Sequence, residues 1–299
     1  MSTETVSDAY RGIDTWPADR ILGAMLDGNQ QAVDAVRRAL PAIGVAAEAA
    51  VEPLRRGGRL VYAGAGTSGR IAVQDGVELT PTFGWPVERL VYLLAGGTPA
   101  LTESIEGAED DVAAGKAEID AAAIGADDVV LALAASGTTA YTVAALRRAR
   151  ERGALTLGIA NNPATPLLEA AEHPILLDTG AEAIGGSTRM KAGTAQKAML
   201  NLFSSLTMIR LGHVHDGYMV DVIATNAKLV RRSQAMLQAL TGADEATARA
   251  ALERCGGHVK SAVLVVRGLE LEAARAALEA AGGSLRRALA ALDGGDGTD

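Results

Sequence analysis

Two short stretches of the chain combine glycine with hydroxyl side chains: Gly64-Ala65-Gly66-Thr67-Ser68-Gly69-Arg70 and Ser136-Gly137-Thr138-Thr139. Glycine lets backbone amides come close to a ligand, and Ser and Thr hydroxyls donate to anionic oxygens. If each stretch opens a helix, the positive helix end adds to the attraction for an anion. Taken singly, each Ser or Thr could equally be a helix N-cap. The first stretch contains Gly64-x-Gly66-x-x-Gly69, so a dinucleotide site has to be weighed. The ribose-binding acid expected about 20 residues on is missing, because the next apolar run leads into Ala95-Gly96-Gly97. The Gly-Lys-Ser/Thr of a Walker loop is missing too. Two hydroxyl-rich loops fit a phosphorylated small molecule better.

Two acids stand out by position. On a helix from Gly69 to Leu79, stopped by Pro81, the residues Ile71, Ala72, Val73, Val77 and Leu79 spread round the axis at about 100° per residue. Such a helix is expected to be buried, with Glu78 in poorly solvated surroundings that favour a neutral carboxyl, suited to a general acid. A structural ion pair with an arginine is the bland alternative. On a second helix, starting near Thr98-Pro99, Leu101, Ile105, Ala108 and Val112 form an apolar stripe. Of the nearby acids Glu103, Glu106, Glu109 and Asp110, only Glu109 projects within about 40° of that stripe. It is expected to be half-buried, a candidate base.

His213-Val214-His215-Asp216 invites a metal reading, since alternate residues share a strand face. A closed site needs three or four ligands, and only His173 and His258 remain, so no metal is expected. Gly185-Gly186-Ser187-Thr188-Arg189-Met190-Lys191 places two glycines, two hydroxyls and two cations before a helix, where they could bind phosphate or simply cap it.

These residues need elements to hold them. Residues 1–57 read as a helical lead-in, with Asp27 to Glu48 at helical spacing and Gly57-Gly58 as its end. Then come short, almost continuously apolar runs at Leu60–Ala63, Leu90–Leu94, Val129–Ala134, Leu155–Ala160 and Ile175–Leu177, alternating with helical text. Runs of that kind are strands covered on both faces, so the fold class is α/β, a doubly wound, mostly parallel sheet. The sheet domain is expected over 58–239. A long helix from Ala192 to Leu211 reads as a core or subunit-contact helix. Residues 240–292 read as a small helical domain, with a weak echo between Ala250–Gly257 and Ala276–Gly283, and 293–299 as a disordered tail.

The chain has 299 residues, of which 48% are hydrophobic, enough for a packed core. Its formal charge is −8 and only 3% of residues are aromatic, which argues against nucleic acid as a partner. The single cysteine, Cys255, excludes a disulfide framework and fits a reducing compartment. The polar, acidic start is no signal peptide. The longest uncharged run, Val129 to Leu146, is interrupted by Ser136 to Thr139, so no membrane span is expected. A cytoplasmic location follows.

The text itself resembles a known family. GRLVYAGAGTSGR (58–70), VELTPTFG (77–84), SIEGAEDD (104–111), LAASGTTAY (133–141), GGSTRMKAGTAQKAMLN (185–201) and MVDVIATNAKL (219–229) are similar to the N-acetylmuramic acid 6-phosphate etherases. Those are bacterial proteins with a sugar-isomerase (SIS) domain, related to the glucokinase regulatory protein. The resemblance runs from about residue 10 to 290 and includes a C-terminal helical domain similar to ubiquitin-associated domains. It implies cleavage of the D-lactyl ether by a lyase, with Glu78 as the acid and Glu109 as the base, the same two acids that helical position singles out. It also implies phosphate ligands at Ser68, Ser136 and Thr139, with Thr67 and Lys191 behind them, no cofactor, and a homodimer. One departure is Leu79-Thr80 where the family usually has Cys-Pro; His213 to Tyr218 differs as well. The rivals on this fold are an aldose–ketose phosphosugar isomerase and a non-catalytic sugar-phosphate sensor.

Overall fold

The computed structural model describes residues 3–294. The expected tail therefore lies outside the described residues from 295 onward. By internal contacts the chain forms two compact units, one made of residues 1–76 and 88–206, the other of 77–87 and 207–299.

The first unit opens with two 3-10 turns and a single 38-residue helix, α1 (Ala18–Arg55). Five strands follow: β1 (Leu60–Gly64), β2 (Leu90–Leu94), β3 (Val129–Leu133), β4 (Leu155–Ala160) and β5 (His173–Leu176). All pair in parallel, in the order β2-β1-β3-β4-β5. The doubly wound sheet read from the apolar runs is thus present, with strand ends within two residues of those expected. Every residue of β1 and β3 is buried, as strands covered on both faces must be.

Val61, Ala63, Val130 and Ala132 point to the face that carries α3 (Val112–Ala121), α4 (Ala140–Glu151) and α5 (Pro166–Ala170). Across the opposite face run α1, against β3, β4 and β5, and the starts of α2 (Gly66–Phe83) and α6 (Lys191–Leu211). A polar knot sits there. Asp75 of α2, 5% exposed, accepts hydrogen bonds from Tyr62 Oη (3.0 Å), Asn201 Nδ2 (2.8 Å) and Ser204 Oγ (3.1 Å). Burial raises the Asp75 carboxyl above its ordinary range, and the three donors oppose that shift.

Two expectations fail here. Pro81 does not stop α2, which continues two residues further to Phe83. Proline in a helix interior removes one N–H, and near the helix end little ladder remains to be lost. Nor is α2 buried all round. Gln74, Val77, Glu78 and Pro81 form one exposed stripe at spacings of three, one and three, and Val77 is 49% exposed. Glu78 is therefore solvent-facing, and the buried carboxyl of this helix is Asp75.

The helix expected from Thr98 is absent as well. The chain makes 3-10 turns at Thr98–Leu101 and Ala108–Asp110, and α3 starts only at Val112, capped by the Asp111 side chain on Ala114 N (2.8 Å). Gly107, inside the expected helix, takes a positive φ of 71°, a conformation that interrupts a right-handed helix. Leu101, Ile105 and Val112 remain partly exposed, so the apolar stripe is not a buried face.

The second unit joins residues 77–87 to a short hairpin, β6 (Val214–His215) with β7 (Tyr218–Met219), and to α7 (Ala227–Thr241) through α11 (Leu285–Gly294). The faint echo in the sequence is a structural repeat. After α8 (Glu245–Arg254), Gly257 N donates to Leu252 O at 2.8 Å; after α10 (Leu271–Ala280), Gly283 N donates to Leu278 O at 2.8 Å. Gly256 and Gly257 have φ of 61° and 85°, and Gly282 and Gly283 have 60° and 76°, so both helices close with the same glycine pair. The chain then turns into α9 (Val259–Val266) and α11 respectively. Val220, Met236, Leu252, Val263, Leu278 and Leu285 make the core.

Candidate active site

In strand order β2-β1-β3, the chain leaves β1 towards one side of the sheet and β3 towards the other. The crevice between the carboxyl ends of β1 and β3 is the topological switch point, where α/β sheets bind ligands. A cavity of 410 Å³ lies there. Its walls include Gly66, Thr67 and Ser68 from the turn after β1, Ser136, Thr138 and Thr139 from the turn after β3, and Glu109 with Asp110.

Both turns are shaped by glycine. A Cβ on Gly64 would come within 3.0 Å of Gly69 N and 3.1 Å of Leu133 O, so β1, β3 and the first turn of α2 meet without room for a side chain. A Cβ on Gly137 (φ 72°) would lie 2.3 Å from Thr165 Oγ1. The three glycines of the first stretch thus serve strand–helix packing and a tight turn.

The hydroxyls are not spent on capping. Thr67 and Ser68 lie inside the first turn of α2, and Thr139 makes no side-chain hydrogen bond to the helix it precedes. Ser136 Oγ accepts from Thr138 N at 3.1 Å, which leaves its own proton free to donate. None of the residues lining the cavity is Lys or Arg. An anion there would be held by neutral hydroxyls, amides and the starts of α2 and α4.

Glu109 lines this cavity and a neighbouring one of 430 Å³, which also borders Gly66, Thr67, Arg70 and Glu103. It reaches both from the exposed 3-10 turn Ala108–Asp110, not from a half-buried helix face. Arg70 ties down the approach to that turn, donating from Nε to Ala100 O (2.9 Å) and from Nη2 to Glu103 O (2.7 Å).

Glu109, Thr67, Ser68, Ser136 and Thr139 are thus brought together. Lys191 is not with them. It is 4% exposed at the start of α6, and its ammonium donates to Gln31 Oε1 of α1 at 3.1 Å. Burial lowers its pKa, an effect that nearby Glu182 opposes. The N-terminus of α6 is capped by Glu182, 1% exposed, which accepts from Lys191 N (3.0 Å) and Ala192 N (2.9 Å). Glu78 is not among the residues lining either cavity; it belongs to the second unit.

Thr188, from the glycine–hydroxyl stretch before α6, also borders the cavity, and so does Glu4, which the sequence reading missed. Glu4 arrives because Thr3, fully buried, donates from its N–H to Asn162 Oδ1 (2.9 Å) and accepts from Gly186 N (3.2 Å). Asn162 follows β4, and a polar residue just past a buried strand was a usable signal. Glu4 left none, since its place depends on contacts with residues 159 and more positions away.

His213 and His215 do not work as a pair. His213 Nδ1 lies 2.7 Å from Asp221 Oδ2, whereas His215 Nε2 is 3.6 Å from Asp216 Oδ2. Among the described residues no group of three or more His, Cys, Asp or Glu is arranged to hold a metal ion. No helix among them is long and apolar enough to cross a membrane.

Residues 43–149 match the glucokinase regulatory protein N-terminal SIS domain, residues 111–206 the SIS domain, and residues 236–264 a UBA-like domain. The N-acetylmuramic acid 6-phosphate etherase of Deinococcus radiodurans is 54% identical over 265 residues, covering 89% of this chain and 87% of that protein. That of Rubrobacter xylanophilus is 44% identical over 266 residues, covering 89% and 88%. A crystallised putative phosphosugar isomerase involved in capsule formation from Bacteroides fragilis is 23% identical with a TM-score of 0.48, over 64% of this chain and 91% of its own.

Proposed function

This chain belongs to the N-acetylmuramic acid 6-phosphate etherase family, and from that premise we propose that it cleaves the D-lactyl ether of N-acetylmuramic acid 6-phosphate. The products are N-acetylglucosamine 6-phosphate and D-lactate. The observation that carries the reading is the hydroxyl-lined cavity at the switch point with Glu109 in its wall.

An ether at C3 is a poor leaving group, but it is β to C1, an aldehyde once the ring opens. Glu109 takes the C2 proton, and the electron pair moves into conjugation with the aldehyde. The C3–O bond then breaks, and Glu78 gives its proton to the departing lactyl oxygen. Water adds at C3 of the unsaturated aldehyde, giving a proton to Glu78 while Glu109 returns one to C2. Both carboxyls end as they began, so neither needs a cofactor for regeneration. The two must start in opposite protonation states. Each proton transfer contributes about 10²–10⁴-fold, so holding the phosphate supplies much of the remainder.

The phosphate is assigned to Ser68, Ser136 and Thr139, with Thr67 at the edge. Thr139→Val keeps shape and removes one donor to a charged group. It is expected to weaken phosphosugar binding about tenfold, for about 1.5 kcal/mol, with the lactate yield per bound substrate unchanged. Titration with substrate checks this, and unaltered affinity would take Thr139 out of the site.

The functional chain is taken to be a homodimer in the cytoplasm. Leu22, Leu26, Val33 and Leu40 are exposed along one side of α1, and Val77 is exposed beside Glu78, apolar surface of the sort a subunit contact covers. Light scattering should give twice the chain mass; a monomeric mass would remove the dimer. A phosphate ester does not cross a bilayer unaided, so its enzyme belongs where the ester is made. Cell fractionation tests that.

The test of the activity is an incubation with N-acetylmuramic acid 6-phosphate, followed for D-lactate. Release of lactate is expected. An isomerised sugar without lactate would favour the phosphosugar isomerase, and binding without turnover would favour a sensor.

A further inference from the structure

The turn that ends α2 is held at two points by other residues of the second unit. Gly84, at φ 63°, passes so close to the Asp221 carbonyl that a Cβ there would lie 2.7 Å from its oxygen. Trp85, 1% exposed, meets the His213 ring edge-on, with centroids 5.9 Å apart. His213 Nδ1 in turn lies 2.7 Å from Asp221 Oδ2. The same carboxylate is ion-paired with the ammonium of Lys260, a buried residue of α9, which also donates to Gly283 O (2.7 Å) in the turn between α10 and α11. His258 Nε2 stands 3.7 Å from Asp221 Oδ1.

Asp221 therefore joins the turn after α2, the start of the hairpin and both helix pairs of the repeat. A cavity of 370 Å³ borders Phe83, Gly84, His213, Asp221 and His258 on that side of the turn. A buried ion pair is a poor general stabiliser, because desolvation offsets much of its attraction. Its use is to favour one arrangement of the groups around it.

We propose that Asp221, with His213 and Lys260, is a positioning cluster for Glu78, acting through the end of α2, and that the C-terminal helices serve the reaction by anchoring it. The proposal rests on the reading of Glu78 as the leaving-group acid. None of the three touches the reacting atoms in this account.

The test uses the full chain and N-acetylmuramic acid 6-phosphate in deuterium oxide, reading deuterium incorporation at C2 and D-lactate release separately. Asp221→Asn is expected to slow lactate release about 10- to 100-fold, the effect of a misplaced catalytic group, and to leave C2 exchange near the wild-type rate. His213→Ala keeps the Asp221–Lys260 pair and decides the matter if Asp221→Asn does not fold; the same split, smaller in size, is expected. Adding His213→Ala to Glu78→Gln should cost nothing more, since the cluster acts only through that acid. Equal loss of both rates, no loss of either, or additive losses in the double variant would overturn the proposal. If Glu78→Gln alone leaves lactate release intact, it is the assignment of the acid that fails.

Discussion

Glu109→Gln should lose deuterium incorporation at C2 and lactate release together, each by about 10²–10⁴-fold. The amide keeps the size and shape of the carboxylate but cannot take a proton from carbon. Glu109 sits on an exposed 3-10 turn held by Arg70 contacts and the Asp111 cap, so the exchange leaves the core untouched. Thermal unfolding should therefore shift little, within the range of ordinary surface substitutions. Proton NMR of the substrate in deuterium oxide gives the exchange rate, and a D-lactate dehydrogenase assay gives the release. Near-normal exchange in this variant would mean that another group is the base, with Asp110 and Glu4 the carboxylates next in line in the same cavity wall.

Glu78→Gln should separate the two rates. With Glu109 intact, C2 exchange is expected within a few-fold of wild type, while lactate release falls about 10²–10⁴-fold because the departing alkoxide receives no proton. Glu78 lies on the solvent stripe of α2 with Gln74, Val77 and Pro81, so this substitution too should fold normally. Comparison of the two rates on one sample removes uncertainty about enzyme concentration. Equal slowing of both would end the separate acid role, and fast release would move that role to another side chain.

The sheet was legible in the sequence because its strands are buried on both faces, so burial writes a continuous apolar run that needs no register to read. Leu60, Leu90, Val129 and Leu155 each begin a strand where the run begins. The glycine–hydroxyl loops were legible for a related reason, since a turn at a strand's carboxyl end needs small residues and an anion needs donors. What failed was the reading of helical faces. Periodicity placed Glu109 beside an apolar helix stripe, but the segment makes 3-10 turns instead, with Gly107 at positive φ before the second. On α2, apolar residues spread round the axis suggested burial on all sides, yet Val77 is left partly exposed and Asp75 takes the buried position through three donors from β1 and α6. Those donors lie far away in sequence, and no local pattern announces them. The stretch before α6 could bind phosphate or cap the helix; in the structure Glu182 caps the helix and Gln31 takes the Lys191 ammonium.

Elimination followed by hydration makes a claim about one bond, C3–O, and isotope labelling reads it directly. The reaction is run in water enriched in oxygen-18 and both products are weighed by mass spectrometry. One heavy oxygen is expected in N-acetylglucosamine 6-phosphate, at C3 and beyond that exchanged through the aldehyde, with none at the 2-hydroxyl of D-lactate, which keeps the ether oxygen. Label at that lactate hydroxyl, with the C3 oxygen of the sugar unlabelled, would mean that water attacks the lactyl carbon and would contradict elimination.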